Sequence, residues 1–145
     1  MKKLICAVAL ALAAGCGGDS TGPKVDLTGT WTYSATNLNV SGVNCSISGV
    51  TMTIVATGNT FTGAVAPGGT LTCTSPAGTD VEPLGGDIIA NGTISGNAIQ
   101  FDIGNSDFHN AGTLSGNSIS GTVTVHVDDS GVVFNLVGNF TAVKH

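Results

Sequence analysis

From Asp26 onward, apolar and small polar residues alternate in short runs, and turn signals break the runs roughly every 8 to 12 residues. Successive side chains of a strand point to opposite faces, so a period of two buries one face and wets the other. Almost nothing in this stretch has helical period. Val50, Met52, Ile54 and Ala56 alternate with Thr51, Thr53, Val55 and Thr57, and Gly58-Asn59 then turns the chain into Thr60 to Ala66. Glycine first and asparagine second suit a two-residue hairpin of the II′ kind. Pro67-Gly68-Gly69 turns it again into Thr70 to Ser75. Asn37 to Ser46, which carries Cys45, reads as a loop, and Ser75 to Gly86 as the longest irregular stretch.

The remainder reads as a meander with an internal repeat: Gly92-Thr93-Ile94-Ser95-Gly96-Asn97-Ala98-Ile99 returns as Gly112-Thr113-Leu114-Ser115-Gly116-Asn117-Ser118-Ile119. A repeat one hairpin long predicts an up-and-down order in which each strand pairs with its sequence neighbours. Ile99, Phe101, Ile103, Phe108, Leu114, Ile119, Val123, Val125, Val127, Phe134, Leu136 and Phe140 form its apolar side, with Thr and Ser opposite. An open sheet this long leaves two edges free to pair with other chains, so the expected fold is all-β, an antiparallel meander closing into a barrel of about eight strands. Nine runs qualify as strands, and antiparallel closure needs an even number. One of them, Thr60 to Ala66 or Thr70 to Ser75, is therefore expected to be short, irregular or outside the barrel.

Ahead of this domain, Lys2 and Lys3 precede an uncharged run from Leu4 to Ala14. A positive start, a short apolar run and small residues at its end are the features of a secretory signal peptide, and a run of this length is far short of the roughly 20 residues a spanning helix needs. Ala13-Ala14-Gly15-Cys16 resembles the bacterial lipobox, although Ala13 stands where leucine is commonest and Leu12 lies one place further back. The resemblance implies cleavage before Cys16 and acylation of its thiol, anchoring the mature chain to a membrane without spanning it. In that family an Asp after the cysteine commonly retains the protein at the inner membrane. Gly17 stands there instead, so an outer-membrane lipoprotein with an extracytoplasmic domain is expected. The resulting division is a signal peptide over 1–15, a flexible tether over 16–25 rich in turn formers, and one barrel domain over 26–145.

Composition narrows the partners. The mature chain holds only Lys24 and Lys144 as basic side chains against nine acids and has no arginine, which disfavours nucleic acid and anionic lipid surfaces. With Cys6 removed and Cys16 acylated, Cys45 and Cys73 remain as an even pair in an oxidising compartment, and a disulfide is expected.

Leu27-Thr28-Gly29-Thr30-Trp31 looks like the first strand of the calycin group, the lipocalins and avidins, which carries Gly-x-Trp at the closed end of the barrel. Phe61-Thr62-Gly63 and Asn139-Phe140-Thr141-Ala142-Val143-Lys144 fall in an order comparable to that of avidin-type proteins. The resemblance implies a structural role for Gly29 and Trp31, with Lys144 packed across the tryptophan as a cation-π contact. It does not extend to biotin binding, because the avidin site is walled by several tryptophans and this chain has one.

Motifs for catalysis, phosphate binding or metal binding are missing, and no cofactor is implied. One polar constellation stands out. In two-residue register at Gly116-Asn117, Asp107 falls opposite His126, with His109 as their diagonal neighbour. A cation site or Asp-His dyad is conceivable there, but a solvated cross-strand pair on an outward face is the expectation. Asp80, Glu82, Asp87, Asp107, Asp128 and Asp129 fall in loops that share one end of an up-and-down barrel, where they would hold calcium weakly or keep the end wet. The leading expectation is a non-enzymatic, membrane-anchored barrel that binds a small apolar ligand or serves the envelope structurally. An adhesion or assembly module using the Thr-rich face and a hydrolase using Asp107, His109 and His126 are the alternatives.

Overall fold

The structure, a computed structural model, describes residues 25–129 and 131–145, all of whose regular elements are β-strands. The segment expected to be a signal peptide, Cys16 and Lys24 lie outside the described residues. Ten strands follow in order: β1 (Gly29–Val40), β2 (Val43–Thr57), β3 (Thr60–Val65), β4 (Gly69–Ser75), β5 (Gly78–Leu84), β6 (Ile88–Ser95), β7 (Ala98–Ile103), β8 (Phe108–Ser115), β9 (Ser118–Asp129) and β10 (Val132–Lys144). They run β1-β10-β9-β8-β7-β6-β3-β2-β4-β5, and β1 also pairs with β2. That last pairing closes an antiparallel barrel of eight strands, leaving β4 and β5 outside the closed ring.

The two outer strands are continuations of the wall. β2 pairs through Met52 to Thr57 with β3 and through Asn44 to Ser48 with β4, so β3 and β4 follow one line along it. β5 and β6 likewise follow one line along β4 and β3. Both lines break at the same level. There the Ala66 N–H donates to the Thr51 carbonyl at 2.8 Å and the Gly86 N–H to the Val65 carbonyl at 2.9 Å, which holds the ladder across the break. Gly85 makes the crossing possible: it sits at φ 134°, and a Cβ there would lie 2.4 Å from the Pro67 Cα. The topology is thus a complete up-and-down meander whose third and fourth strands run on past the barrel.

Three sequence expectations need correction. Ten strands form instead of nine: Thr70 to Ser75, one of the two runs expected outside the barrel, does lie outside it in β4, but with β5 as an unforeseen partner, while Thr60 to Val65 is part of the barrel wall. Ser75 to Gly86 is mostly strand β5, concealed because Gly78 to Pro83 are all exposed and carry no apolar alternation; backbone pairing to β4 alone makes it a strand. Asn37 to Ser46 is not a loop either. β1 and β2 run through it to a tight turn at Ser41-Gly42, whose φ values of 44° and 85° suit a type I′ hairpin.

At the opposite end, Gly58-Asn59, Gly96-Asn97 and Gly116-Asn117 each join two strands, with φ values of 65°, 59° and 58° at the glycines and negative φ at the asparagines. This is the II′ pattern, and it fixes which faces turn inward. Trp31, Tyr33, Val50, Met52, Ile54, Ile99, Phe101, Ile119, Val123 and Phe140 are all buried inside the barrel. A band of aromatics fills the middle: Phe101 packs edge-on against Phe140 at 5.7 Å, and Tyr33 stacks on Phe140 at 5.6 Å. Asn110 is fully buried in the same band, its Oδ1 accepting from the Tyr33 hydroxyl at 2.9 Å and its Nδ2 donating to the Phe101 and Phe108 carbonyls. Burial also pushes the Tyr33 phenol well above its ordinary pKa, so it stays a neutral donor.

The end with the II′ turns is closed. Leu27 is buried there, and its carbonyl accepts from Trp31 Nε1 at 2.8 Å. Lys144 Nζ stands 6.0 Å from the Trp31 ring centroid and donates to the Asp26 carbonyl at 3.0 Å. A side chain at Gly29 would meet Lys144 Cε at 2.9 Å, so the glycine gives the lysine its path.

Candidate functional site

At the other end the barrel wall becomes uneven. β7 ends at Ile103 and β8 begins at Phe108, whereas β1, β2, β4, β5, β9 and β10 continue past that level. With these two strands short, the long ones form a trough open along one side, between β5 and β9. The trough encloses a cavity of about 490 Å³. Leu38 and Val40 of β1, Val43 and Cys45 of β2, Leu71 and Cys73 of β4, Val125 and Val127 of β9, and Phe134 and Leu136 of β10 line it. Ser41, Asp80 and Glu82 are its polar members. This size lies within the roughly 300–1,000 Å³ of small-molecule pockets. Beneath it, among the described residues, the interior narrows to a void of about 20 Å³ beside Tyr33, Ile47 and Val50.

The alternation along each strand builds this lining. In β9, Val123 and Val125 face inward where the barrel is closed, and Val127, two residues on, faces the same way where it is open, at 38 % exposure. Phe134 does the same on β10, also at 38 %. Both belong to the apolar side read from the sequence, but the wall that would have covered them stops short. β4 stands against β2 through the Cys45–Cys73 disulfide, formed between directly opposed residues, as expected from the cysteine count. The bond pins the floor of the trough to the barrel.

The register of the polar constellation is the expected one, with Asp107 opposite His126 and His109 diagonal to them, but the side-chain partner of His109 is another residue. Asp107 and His126 meet through the backbone, the His126 N–H donating to the Asp107 carbonyl at 2.7 Å. His109 lies opposite Thr124, but its Nδ1 bonds Asp102 Oδ1 at 2.7 Å. Asp102 is the residue sequence reasoning missed. It sits directly opposite His109 across β7 and β8, on the wet face between Phe101 and Ile103, and is nonetheless 7 % exposed. Asn91, at φ 53° where the pairing of β6 with β7 shifts register, donates to Asp102 Oδ2 at 2.8 Å, and Ser106 donates to the same oxygen at 3.4 Å. Burial would raise the Asp102 pKa, but the hydrogen bonds from Asn91, His109 and Ser106, with the charge of His109, outweigh it and hold the carboxyl below the ordinary range. A placement of the β7–β8 turn would have revealed the pair, since Ile103 opposite Phe108 puts Asp102 opposite His109.

Chemically, this group is an imidazole held by a carboxylate on the outer wall, away from the cavities described above. The Ser106 hydroxyl turns to Asp102. Among the described residues no group of three or more His, Cys, Asp or Glu side chains could hold a metal ion. Asp87 and Asp107 come together at Gly104, where a Cβ would lie 3.4 Å from a carboxylate oxygen of each. Asp87 and Asp107 thus sit at this turn, and Asp80 and Glu82 at the lip of the trough.

No family model, curated protein or solved structure matches the chain.

Proposed function

We propose that this is a lipid-anchored envelope protein of a bacterial outer membrane whose barrel binds a small apolar ligand in the trough at its mouth. The observation that carries the reading is the cavity of about 490 Å³, walled mostly by apolar side chains and open to solvent, above a layer of buried apolar side chains. Burying apolar surface there yields roughly 25 cal/mol per Å², and a preformed site loses little of it to ordering. The calycin-like motifs agree with the closed end, where Gly29, Trp31 and Lys144 come together. The lipobox-like Cys16 supplies the anchor in this reading. Val25, the first described residue, lines a surface pocket with Asn97, Gly116 and Asn117 at the closed end, so in this reading the tether from Cys16 joins the barrel at the end opposite the mouth.

Native mass spectrometry of protein purified from its own envelope should show one co-purifying apolar molecule per chain. The neutral dye N-phenylnaphthylamine should bind with the same stoichiometry, and Leu71→Arg should abolish both. Protein that carries nothing and takes up no dye would overturn the reading. For the anchor, labelled palmitate should enter the wild type and not Cys16→Ser; equal incorporation would remove it.

A further inference from the structure

We infer that the trough prefers amphiphiles with a positively charged head, such as alkylammonium compounds, over neutral or anionic ones. This rests on the ligand-binding reading above and adds its chemical class. Asp80 and Glu82 are alternate residues of β5 and lie opposite Cys73 and Leu71. Directly opposed residues of a sheet share a face, so both carboxylates stand on the concave side, at the lip of an apolar floor.

Among the described residues the lip lacks a counter-charge. None of the residues lining the cavity is Lys or Arg. Lys144 is at the far end of the barrel, against Trp31 and the Asp26 carbonyl. His126 alternates with Val125 and Val127 and so faces the outer side of β9. Among the described residues Asp80 accepts a hydrogen bond only from the adjoining Val81 amide, and Glu82 accepts none from a side chain. If these acids served only to keep β5 wet, the convex face would be their place. That face carries Thr79 and Val81, with Val81 57 % exposed, and both charges of the strand are turned inward. A ligand laying its hydrocarbon along Leu71 would bring its head to these carboxylates, where a cation is attracted and an anion repelled.

The test measures displacement of N-phenylnaphthylamine from the purified protein by dodecylammonium, dodecanol and dodecanoate, each below its micelle concentration and at low salt. Dodecylammonium should bind about tenfold more tightly than dodecanoate, with dodecanol between them. The spread should shrink in high salt, as expected for charges at an exposed lip. In Asp80→Asn/Glu82→Gln the affinities for the three should converge. Both positions are exposed, and an unchanged melting temperature establishes that the variant folds. Equal affinities in the wild type, or a cation preference that survives in the variant, would overturn the inference and leave apolar binding intact. Failure of the dye and all three amphiphiles to bind would instead overturn the ligand-binding reading, and this inference with it.

Discussion

Replacing Cys45 and Cys73 together by alanine separates two roles of their disulfide. The bond joins residues 28 apart in sequence. Closing a loop of that length removes about 12 cal/mol/K of entropy from the unfolded chain, or about 3.6 kcal/mol at 25 °C. For a domain of this size that is a fall of roughly 10 to 20 °C in Tm. Because the effect acts on the unfolded state, it must appear at every probe, including one remote from the bond. The single tryptophan, Trp31, is such a probe, 1 % exposed at the closed end while the disulfide lines the mouth. Guanidinium unfolding followed by Trp31 fluorescence should therefore show a lower midpoint, and a steeper denaturant dependence because the uncrosslinked chain exposes more surface. The dye should also bind more weakly, since β4 and β5 lie outside the closed ring and lose a covalent tie to β2. An unmoved Trp31 transition with lost dye binding would refute the entropic reasoning and show that the bond acts only on the trough.

Tyr33→Phe should cost about 1–3 kcal/mol in chemical denaturation, because Asn110 Oδ1 loses its donor while fully buried; a loss below about 0.5 kcal/mol would refute this. Asp102 has a folded pKa below its unfolded value of about 4, so its contribution is complete above that pH and is lost as pH falls through the folded value. Asp102→Asn should reduce stability at pH 7 by roughly 1.5–3 kcal/mol, the worth of hydrogen bonds to a charged group, and approach the wild type in acid. Thermal unfolding between pH 7 and 3 checks this, and parallel curves would refute it.

Most of the barrel is written in short-range pattern. Val50, Met52 and Ile54 could be assigned inward because a strand has period two, and Gly58-Asn59 could be placed because a two-residue II′ turn needs glycine first. The same rules failed over Gly78 to Leu84, where both faces are exposed and neither hydrophobicity nor propensity distinguishes a strand from a loop. They also left Asn110 unassigned, since an asparagine becomes an interior residue only when a tyrosine from a distant strand faces it.

The amino-acid sequence by itself determined the class of fold, the neighbour-to-neighbour pairing from β6 to β10, most of the inward faces and the partnership of Cys45 with Cys73. Each follows from local periodicity, turn chemistry or counting. Only the tertiary structure decided that the wall is uneven, because that depends on where β3 and β4 break together with β5 and β6 and on β7 and β8 stopping short. The unevenness leaves Val127 and Phe134 facing a cavity instead of a core, and sets Asp80 and Glu82 at its lip. It was equally the tertiary register that brought His109 to Asp102, since cross-strand neighbours are set by the length of the turn between them.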